Sequence, residues 1–410
     1  MHLVVFEGSR WPSFAPLSIS RPVFTLLSGL STLLDKQVRN IQPTRVTLWV
    51  RPGLAEYCQR HVVPGIKVPT EINTPLDDEP ALLCSGRALH FGKYTLPTEP
   101  GVVVDEGDLI RQAFVKSPGL SPQDCLTRSA AWLRIMELPK ETAQARLPDY
   151  LWDLVHWNEE SIVSDVAHLK DHPHPLPPGP YHAICDEDIF VSPEAKLMPG
   201  VVLDASKGPV VVDVGATIGA NAVLQGPVYI GKHAMISPLS FIYGGTSIGP
   251  ICKVGGEVSN SIFLGYTNKA HDGFVGHSYI GEWVNLGAGT TTSNLKNTYG
   301  PIGMRIGTRH IATDRRFLGS MIGDHTKTAI GTRLMSGSYI GYCSLLAASG
   351  LPPRFIPSFT FWTDKGTESY RLEKAREVIS QVYARRGRVW DQDDEKMLKY
   401  ALDAGGRVET

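Results

Sequence analysis

Along the middle of this chain an aliphatic residue returns at every sixth position: Ile218, Leu224, Ile230, Ile236, Ile242, Ile248 and Val254 form an unbroken series. Val191, Leu197 and Leu203 precede it with the same step. Phe274, Ile280 and Leu286 follow, then Ile322, Leu334, Ile340 and Leu346, with Thr328 in the missing slot. A step of six matches neither the helical period nor the alternation of an ordinary strand. It fits a triangular solenoid, in which each side is a short strand that turns one aliphatic side chain inward onto its equivalent in the next coil. A β-sandwich of short strands would instead show period-two alternation with irregular turns. Glycine often follows the inward residue, as at Gly219, Gly231, Gly249, Gly281 and Gly323, where a corner has to form. The repeat breaks between Val254 and Phe274, and for longer from Asn294 to about Leu318. In solenoids such breaks map to loops on one face, often the binding face.

Before the repeat, residues 1 to about 147 mix short apolar runs with helical patterns. His2–Phe6, Arg45–Val50 and Val102–Asp105 read as buried strands, and Leu26–Asn40 and Gly107–Lys116 as helices, which together predict an α/β layer with a partly parallel sheet. Tyr150–Leu169 carries an apolar stripe at helical spacing and is expected to be one amphipathic helix. The proline-rich run 172–180 cannot be helical and reads as a stiff connector. Thr367 to Asp403 is helical, with a second short helix starting near Asp391. The expected domains are therefore 1–180, 181–362 and 363–410. The acidic groups Asp77–Asp78–Glu79 and Asp186–Glu187–Asp188 read as solvated turns.

Composition excludes more than it selects. With a formal net charge of −1, the whole chain offers no reason to bind nucleic acid or an anionic membrane surface. The six cysteines are far apart with no C-x-x-C pair, as expected of reduced thiols rather than a zinc or dithiol site. No apolar run is long enough to span a bilayer and the N-terminus reads as a strand, so a cytoplasmic location is expected.

Within the first phase break lies K-A-H-D-G-F, and imidazole titrates near neutral pH, so His271 is a candidate general base, or else a loop histidine with a structural hydrogen bond. Asn285, one residue before an inward position, can orient His271 or a substrate, or can form a corner ladder. Lys269 could meet a phosphate. The second break holds Lys296, Arg305, Arg309, Arg315 and Arg316 against one acid, Asp314, with Lys327 and Arg333 beyond it. That cluster suits phosphate groups, or is a solvated basic loop.

The stretch EVSNSIFLGYTNKAHDGFVGHSYIGEWVNLGAGTTTSNLK resembles the acetyltransferase half of the bifunctional uridylyltransferase/glucosamine-1-phosphate acetyltransferases. RHIATDRRFLGSMIGDHTKTAIGTRLMSGSYIG resembles the archaeal sugar-1-phosphate nucleotidyltransferase/acetyltransferases, and FEGSRWPSFAPLSISRPVFTLLSG and PDYLWDLVHWNEE an alternative bacterial form. The resemblance implies a Rossmann-like α/β nucleotidyltransferase-like domain, a left-handed parallel β-helix of hexapeptide repeats with terminal helices, and a homotrimer. It implies catalysis by His271 and Asn285, a backbone contact near the thioester at Ala288, substrate contacts at Asn294 and Lys296, and a coenzyme A contact at Ala348. At Phe274 the family has a tyrosine, and at Ser261 a phosphate-binding lysine. Tyr266 and Tyr279 are the candidates to supply the missing hydroxyl, and His277 and His325 are further histidines near the motif. Sugar phosphate and acetyl-CoA are the implied partners.

For the N-terminal domain the resemblance implies a nucleoside triphosphate, held by a thinned glycine loop, Gly8, Ser9 and Arg10, with Arg21 beyond it. Asp105 stands where Mg2+ would be bound. Three functions follow as alternatives: an amino-sugar-phosphate N-acetyltransferase, a sugar-1-phosphate nucleotidyltransferase whose β-helix trimerises or regulates it, and a non-catalytic sugar-nucleotide-binding protein.

Overall fold

A computed structural model of the chain describes residues 1–76, 79–105, 109–116, 119–170 and 176–410. The chain forms two compact units. One comprises Met1–Phe14, Arg21–Leu26 and Ser31–Asp149, and the other Ala15–Ser20, Leu27–Leu30 and Tyr150–Thr410.

The first unit is built on a six-stranded sheet in the order Thr70–Ile72, Arg45–Trp49, His2–Phe6, Ala81–Ser85, Leu109–Val115, Gly101–Asp105. The first four are parallel, with His2 opposite both Arg45 and Ala81. HLVVF is the central strand and is buried throughout, which is why it reads as a continuous apolar run. Leu109–Val115 runs antiparallel to both neighbours. This corrects the helix expected at 107–116: its apolar spacing mimics a helical stripe, but pairing on two edges satisfies its backbone as a strand. Gly107, Asp77 and Asp78 lie outside the described residues. The helix expected from Leu26 begins only at Leu33 and runs to Ile41. Thr32 stops it from extending backward, because its Oγ1 accepts from the Asp35 N–H at 3.1 Å while the Asp35 carboxylate accepts from the Thr32 N–H at 3.1 Å.

In the second unit the single helix expected over 150–169 is two, Leu151–His156 and Asn158–Val166, broken at Trp157. These helices belong to the same unit as the solenoid, whereas the sequence expectation grouped residues 1–180 together. The reason is a buried polar anchor. Asn158 accepts from the Gly29 N–H at 2.7 Å and donates to the Gly245 carbonyl and Ser247 Oγ, both at 2.9 Å. Asp165 accepts from the Leu30 N–H at 2.8 Å. Of the proline-rich connector, residues 172–175 lie outside the described residues. Asp186–Asp188 is a short 3-10 turn.

The solenoid is a three-sided parallel β-helix. One side is a nine-stranded sheet from Ile189–Val191 to Phe355–Ile356. Three inward columns fill it. Val212, Ile230, Ile248, Phe263, Ile280, Ile322, Ile340 and Ile356 stack in one. Leu203, Leu224, Ile242, Val258 and Val275 stack in the second. Ile218, Ile236 and Val254 begin the third. Nearly all are fully buried, at about 1.5–3 kcal/mol of transfer free energy per side chain.

The register after Val254 differs from the sequence expectation. Val275 is the inward residue and Phe274 lies beside it, half-buried. The next member of the third column is Lys269, opposite Val254 and 2% exposed. The longer break becomes an antiparallel hairpin of Ile302–Ile306 and Arg309–Arg315. Two helices follow the last coil, Leu372–Ala384 and Gln392–Glu409. The second is long rather than short, and Asp391 caps it by accepting from the Asp393 and Asp394 N–H groups. Its Glu409 carboxylate accepts from Tyr339 Oη at 2.7 Å and from the Ser358 Oγ and N–H.

Candidate active site

A strand of two residues, Asn268–Lys269, leads into the corner that carries His271. Lys269 points inward and braces that corner: its Nζ donates to the His271 carbonyl and to the Gly255 carbonyl, both at 2.7 Å. It is therefore not available to a substrate phosphate, a correction to the sequence expectation. Burial pulls its ammonium pKa down from 10.5 to about 8, partly offset by the nearby Asp272. His271 itself is exposed.

His271 lines an open cleft of about 730 Å³ with Ala270, Asp272, Ala288, Gly289 and Gly331 among its walls. Those residues come from successive corners of the solenoid. Gly289 and Gly331 both have positive φ, 71° and 69°, so the walls are backbone rather than side chain. The Ala288 carbonyl accepts from the Gly331 N–H at 2.7 Å, and the Ala288 N–H has no protein acceptor among the described residues. Ser237, Pro238 and the exposed Ile330 complete the rim. The volume and the mostly uncharged wall fit a slender thioester arm in contact with an imidazole.

Asn285 is elsewhere. Its Oδ1 accepts from Asn268 Nδ2 at 2.9 Å, and both amides line a second pocket of about 300 Å³ that also takes in Tyr266 and Lys327. The sequence-predicted residues are thus divided between two concavities, with His271 and Ala288 in one and Asn285 and Lys327 in the other. Asn285 does not orient His271.

The remaining expectations resolve locally. Asn294 holds His277, with Nδ2 and Nδ1 3.0 Å apart. His277 stacks on Phe317 and lies near His156, and burial pushes it down to about 4, so at neutral pH it is an uncharged packing residue. His325 is buried among Trp283, Tyr342 and Tyr383. Tyr279 donates its hydroxyl to the Leu27 carbonyl at 2.9 Å and is fully buried, and Ser261 donates to the Ser259 carbonyl.

The basic loop does not converge on the cleft. Lys296 donates to the Pro301 carbonyl at 2.5 Å, Arg305 lies over the Phe355 ring at 4.3 Å, and Arg315 pairs with Asp153 at 3.3 Å. Arg309 and Arg316 are exposed on the hairpin and just beyond it, Arg333 is exposed on its own strand, and Ala348 follows the strand Leu345–Ala347. None of these residues, nor Phe274, lines either concavity. Lys296, Arg305 and Arg315 are thus engaged locally while Arg309 and Arg316 stay exposed, a division that spacing alone does not reveal.

In the first unit, Gly8, Ser9 and Arg10 line a crevice of about 30 Å³ together with Arg87, Arg128 and Ser85. That is room for about one water. Arg87 and Arg128 were missed in the sequence because they lie far along the chain with no local motif. Arg87 donates to the Pro148 carbonyl at 2.7 Å. Arg21 is buried and lies outside the crevice; its guanidinium is within 3.5 Å of Tyr57 Oη. Glu7 is held by a buried two-point ion pair to Arg51, at 2.9 and 3.0 Å. Asp105 ends its strand, and its side chain lies outside what the structure describes. Among the described residues no three His, Cys, Asp or Glu side chains converge as metal ligands, and the crevice's carboxylate, Glu7, is already spent on Arg51. The described residues therefore do not fit Mg2+. None of the helices among them is long and apolar enough to cross a membrane.

Residues 3–173 match the model of the sugar nucleotidyl transferase family. Over 170 residues the chain is 36% identical to the bifunctional protein GlmU of Methanocaldococcus jannaschii, covering 41% of each chain. Over 137 residues it is 35% identical to the bifunctional sugar-1-phosphate nucleotidylyltransferase/acetyltransferase of Sulfurisphaera tokodaii, covering 33% of this chain and 34% of that one. A solved UDP-N-acetylglucosamine acyltransferase aligns over 53% of this chain and 88% of its own, at 16% identity and a TM-score of 0.21. Over part of its length the chain is thus similar to the bifunctional sugar-1-phosphate nucleotidylyltransferase/acetyltransferases, and it spans only 34 to 41% of the length of the two it matches here.

Proposed function

We propose that the β-helix is an acetyl-CoA-dependent N-acetyltransferase acting on an amino-sugar 1-phosphate, fused to a sugar-1-phosphate nucleotidyltransferase-like unit. The observation that carries this reading is an exposed imidazole on the rim of a cleft with backbone walls, together with an unspent N–H at Ala288 on the same cleft. Acetyl-CoA supplies an acyl group activated as a thioester. His271 takes the proton from the substrate amine as that amine attacks the thioester carbonyl. The Ala288 N–H donates to the oxygen on which negative charge develops. His271 then returns its proton to the departing thiolate, so that a thiol and an N-acetyl sugar leave. The homotrimer, the left hand of the helix and a cytoplasmic setting belong to the same proposal.

The test is release of free thiol from acetyl-CoA with glucosamine 1-phosphate. His271→Ala should lose about a hundredfold or more, the usual scale for a general base. Absence of thiol release above background across a panel of amino-sugar phosphates would sink the reading.

A second reading has its own support. Three arginines, Arg10 of the loop Gly8–Arg10 together with Arg87 and Arg128, line this crevice, in the region that matches the sugar nucleotidyl transferase model. Guanidinium groups stabilise transferring phosphoryl groups. The crevice must widen to admit a nucleotide. Pyrophosphate release from UTP or dTTP with a sugar 1-phosphate and Mg2+, lost in Arg10→Ala, is the outcome expected of an active nucleotidyltransferase. A chain inactive in both assays would be a binding protein.

A further inference from the structure

The second concavity of the β-helix unit is chemically unlike the first. It lies between the outer face of the coils at Asn268, Asn285 and Lys327 and the end of the helix Leu372–Ala384. Four cations line it, Lys253 and Lys327 from the coils and Arg385 and Arg386 from just past the helix, and no acid does. None of the four has a carboxylate partner among the described residues. Arginines at a helix C-terminus complement its dipole. That accounts for Arg385 and Arg386 taken singly, but not for two lysines brought to the same pocket from separate coils.

Lys327 is the most telling. It is half-buried, and among the described residues its ammonium makes one hydrogen bond, to the His325 carbonyl at 2.9 Å. Burial lowers its pKa, the mark of a desolvated cation without a counter-ion. Beside it the Asn268–Asn285 bond uses one oxygen and one N–H, which leaves the Asn285 amide N–H groups and the Asn268 oxygen open to a ligand. The Tyr266 ring, stacked on Trp283 at 4.2 Å, adds a flat apolar wall.

We propose that this pocket binds a small molecule carrying a phosphate group, with Lys327 and Arg386 meeting the anion and the Asn268–Asn285 pair meeting hydroxyl or carbonyl groups next to it. A volume of about 300 Å³ holds a phosphate with a small organic moiety. The proposal does not depend on acetyl transfer at His271.

Isothermal titration calorimetry of the full chain, without acetyl-CoA, tests it with three probes: inorganic phosphate, glucose 1-phosphate and uridine monophosphate. At least one should bind saturably, one per chain, and more weakly as salt is raised. Tighter binding of glucose 1-phosphate would identify a sugar phosphate as the source of the anion, and tighter binding of uridine monophosphate a nucleotide. Arg386→Ala should weaken binding about tenfold and the Arg385→Ala/Arg386→Ala pair further, as lost charge-assisted hydrogen bonds require. Both arginines lie outside the core, so these variants keep the fold, which circular dichroism checks. Lys327→Met should act in the same direction. His271→Ala should bind as wild type does. No saturable binding of any probe, an affinity unmoved by the double arginine change, or binding abolished by His271→Ala would each overturn the proposal.

Discussion

The coils before Val254 and those after it are made of the same motif and do different things. Before it, after a first turn of twenty-one residues from Lys196 to Thr217, the turns are uniform: Thr217 pairs with Met235 and Met235 with Lys253, eighteen residues per turn, and the columns are aliphatic. After it, Lys253 pairs with Asn268 only fifteen residues on, and Tyr279 with Met321 forty-two residues on. Polar groups enter the columns there, with Lys269 opposite Val254 and Thr292 and Thr328 further along. His271, Ala288, Asn285 and Lys327 all belong to the second group. Uniform coils make a scaffold, because every side chain has an identical neighbour above and below. Concavities arise where a coil loses or gains residues and its corner no longer lies over the next.

If that division holds, the two regions should respond differently to change. The largest stability effect belongs to the uniform part. Ile248→Ala empties a fully buried site and should cost about 2–5 kcal/mol in urea unfolding, while thiol release per folded molecule stays near that of wild type. A selective loss of activity instead would erase the distinction.

Lys269→Met keeps the volume of the irregular column but removes the donor to the His271 and Gly255 carbonyls. The expected stability loss is smaller, about 1–3 kcal/mol. The sharper readout is kinetic: with the corner unbraced, kcat should fall more than stability predicts, with KM for acetyl-CoA less affected. Equal behaviour of Lys269→Met and Ile248→Ala would mean that Lys269 only fills space.

Thr328→Val is subtler. Thr328 Oγ1 accepts from the Gly287 N–H at 3.0 Å and is 2.8 Å from Thr290 Oγ1. Losing both should cost about 1–2 kcal/mol in thermal unfolding. A neutral or stabilising result would show that the polar column is tolerated rather than needed.

A pH dependence sets the two regions apart as well. A buried lysine with its pKa lowered to about 8 from 10.5 binds its proton less well in the folded chain than in the unfolded one. Between those values the unfolded state carries more protons, so stability rises with pH across that window. Lys327, also lowered, acts in the same direction. Urea midpoints measured across this range should climb more steeply for wild type than for Lys269→Met, and parallel curves would contradict the assigned shift.

Much of this protein was legible in the chain. The step of six follows from one inward side chain per short strand, a local rule that any stretch reports on itself, and it correctly placed the inward residues from Ile218 to Val254. The central strand His2–Phe6 and the helix starting after Thr32 carry equally local signatures, a buried apolar run and a capping pair. His271 in the first break was visible for the same reason: a break in a strong period stands out.

What local pattern could not supply was partnership at a distance. Lys269 reads as a surface charge until the shortened coil sets it against Val254, where its amine meets two carbonyls instead of water. Asn285 and His271 are close in sequence, yet successive corners and faces of a three-sided coil separate them into different concavities. Arg87 and Arg128 join the Gly8 loop only through the sheet. In the long break Arg315 pairs with Asp153 and Arg305 is laid on Phe355, contacts set by where a hairpin folds back. The chain's own periodicity determined the solenoid, because that depends on near neighbours. Tertiary packing decided which polar groups remain free to act, because that depends on residues the periodicity never relates.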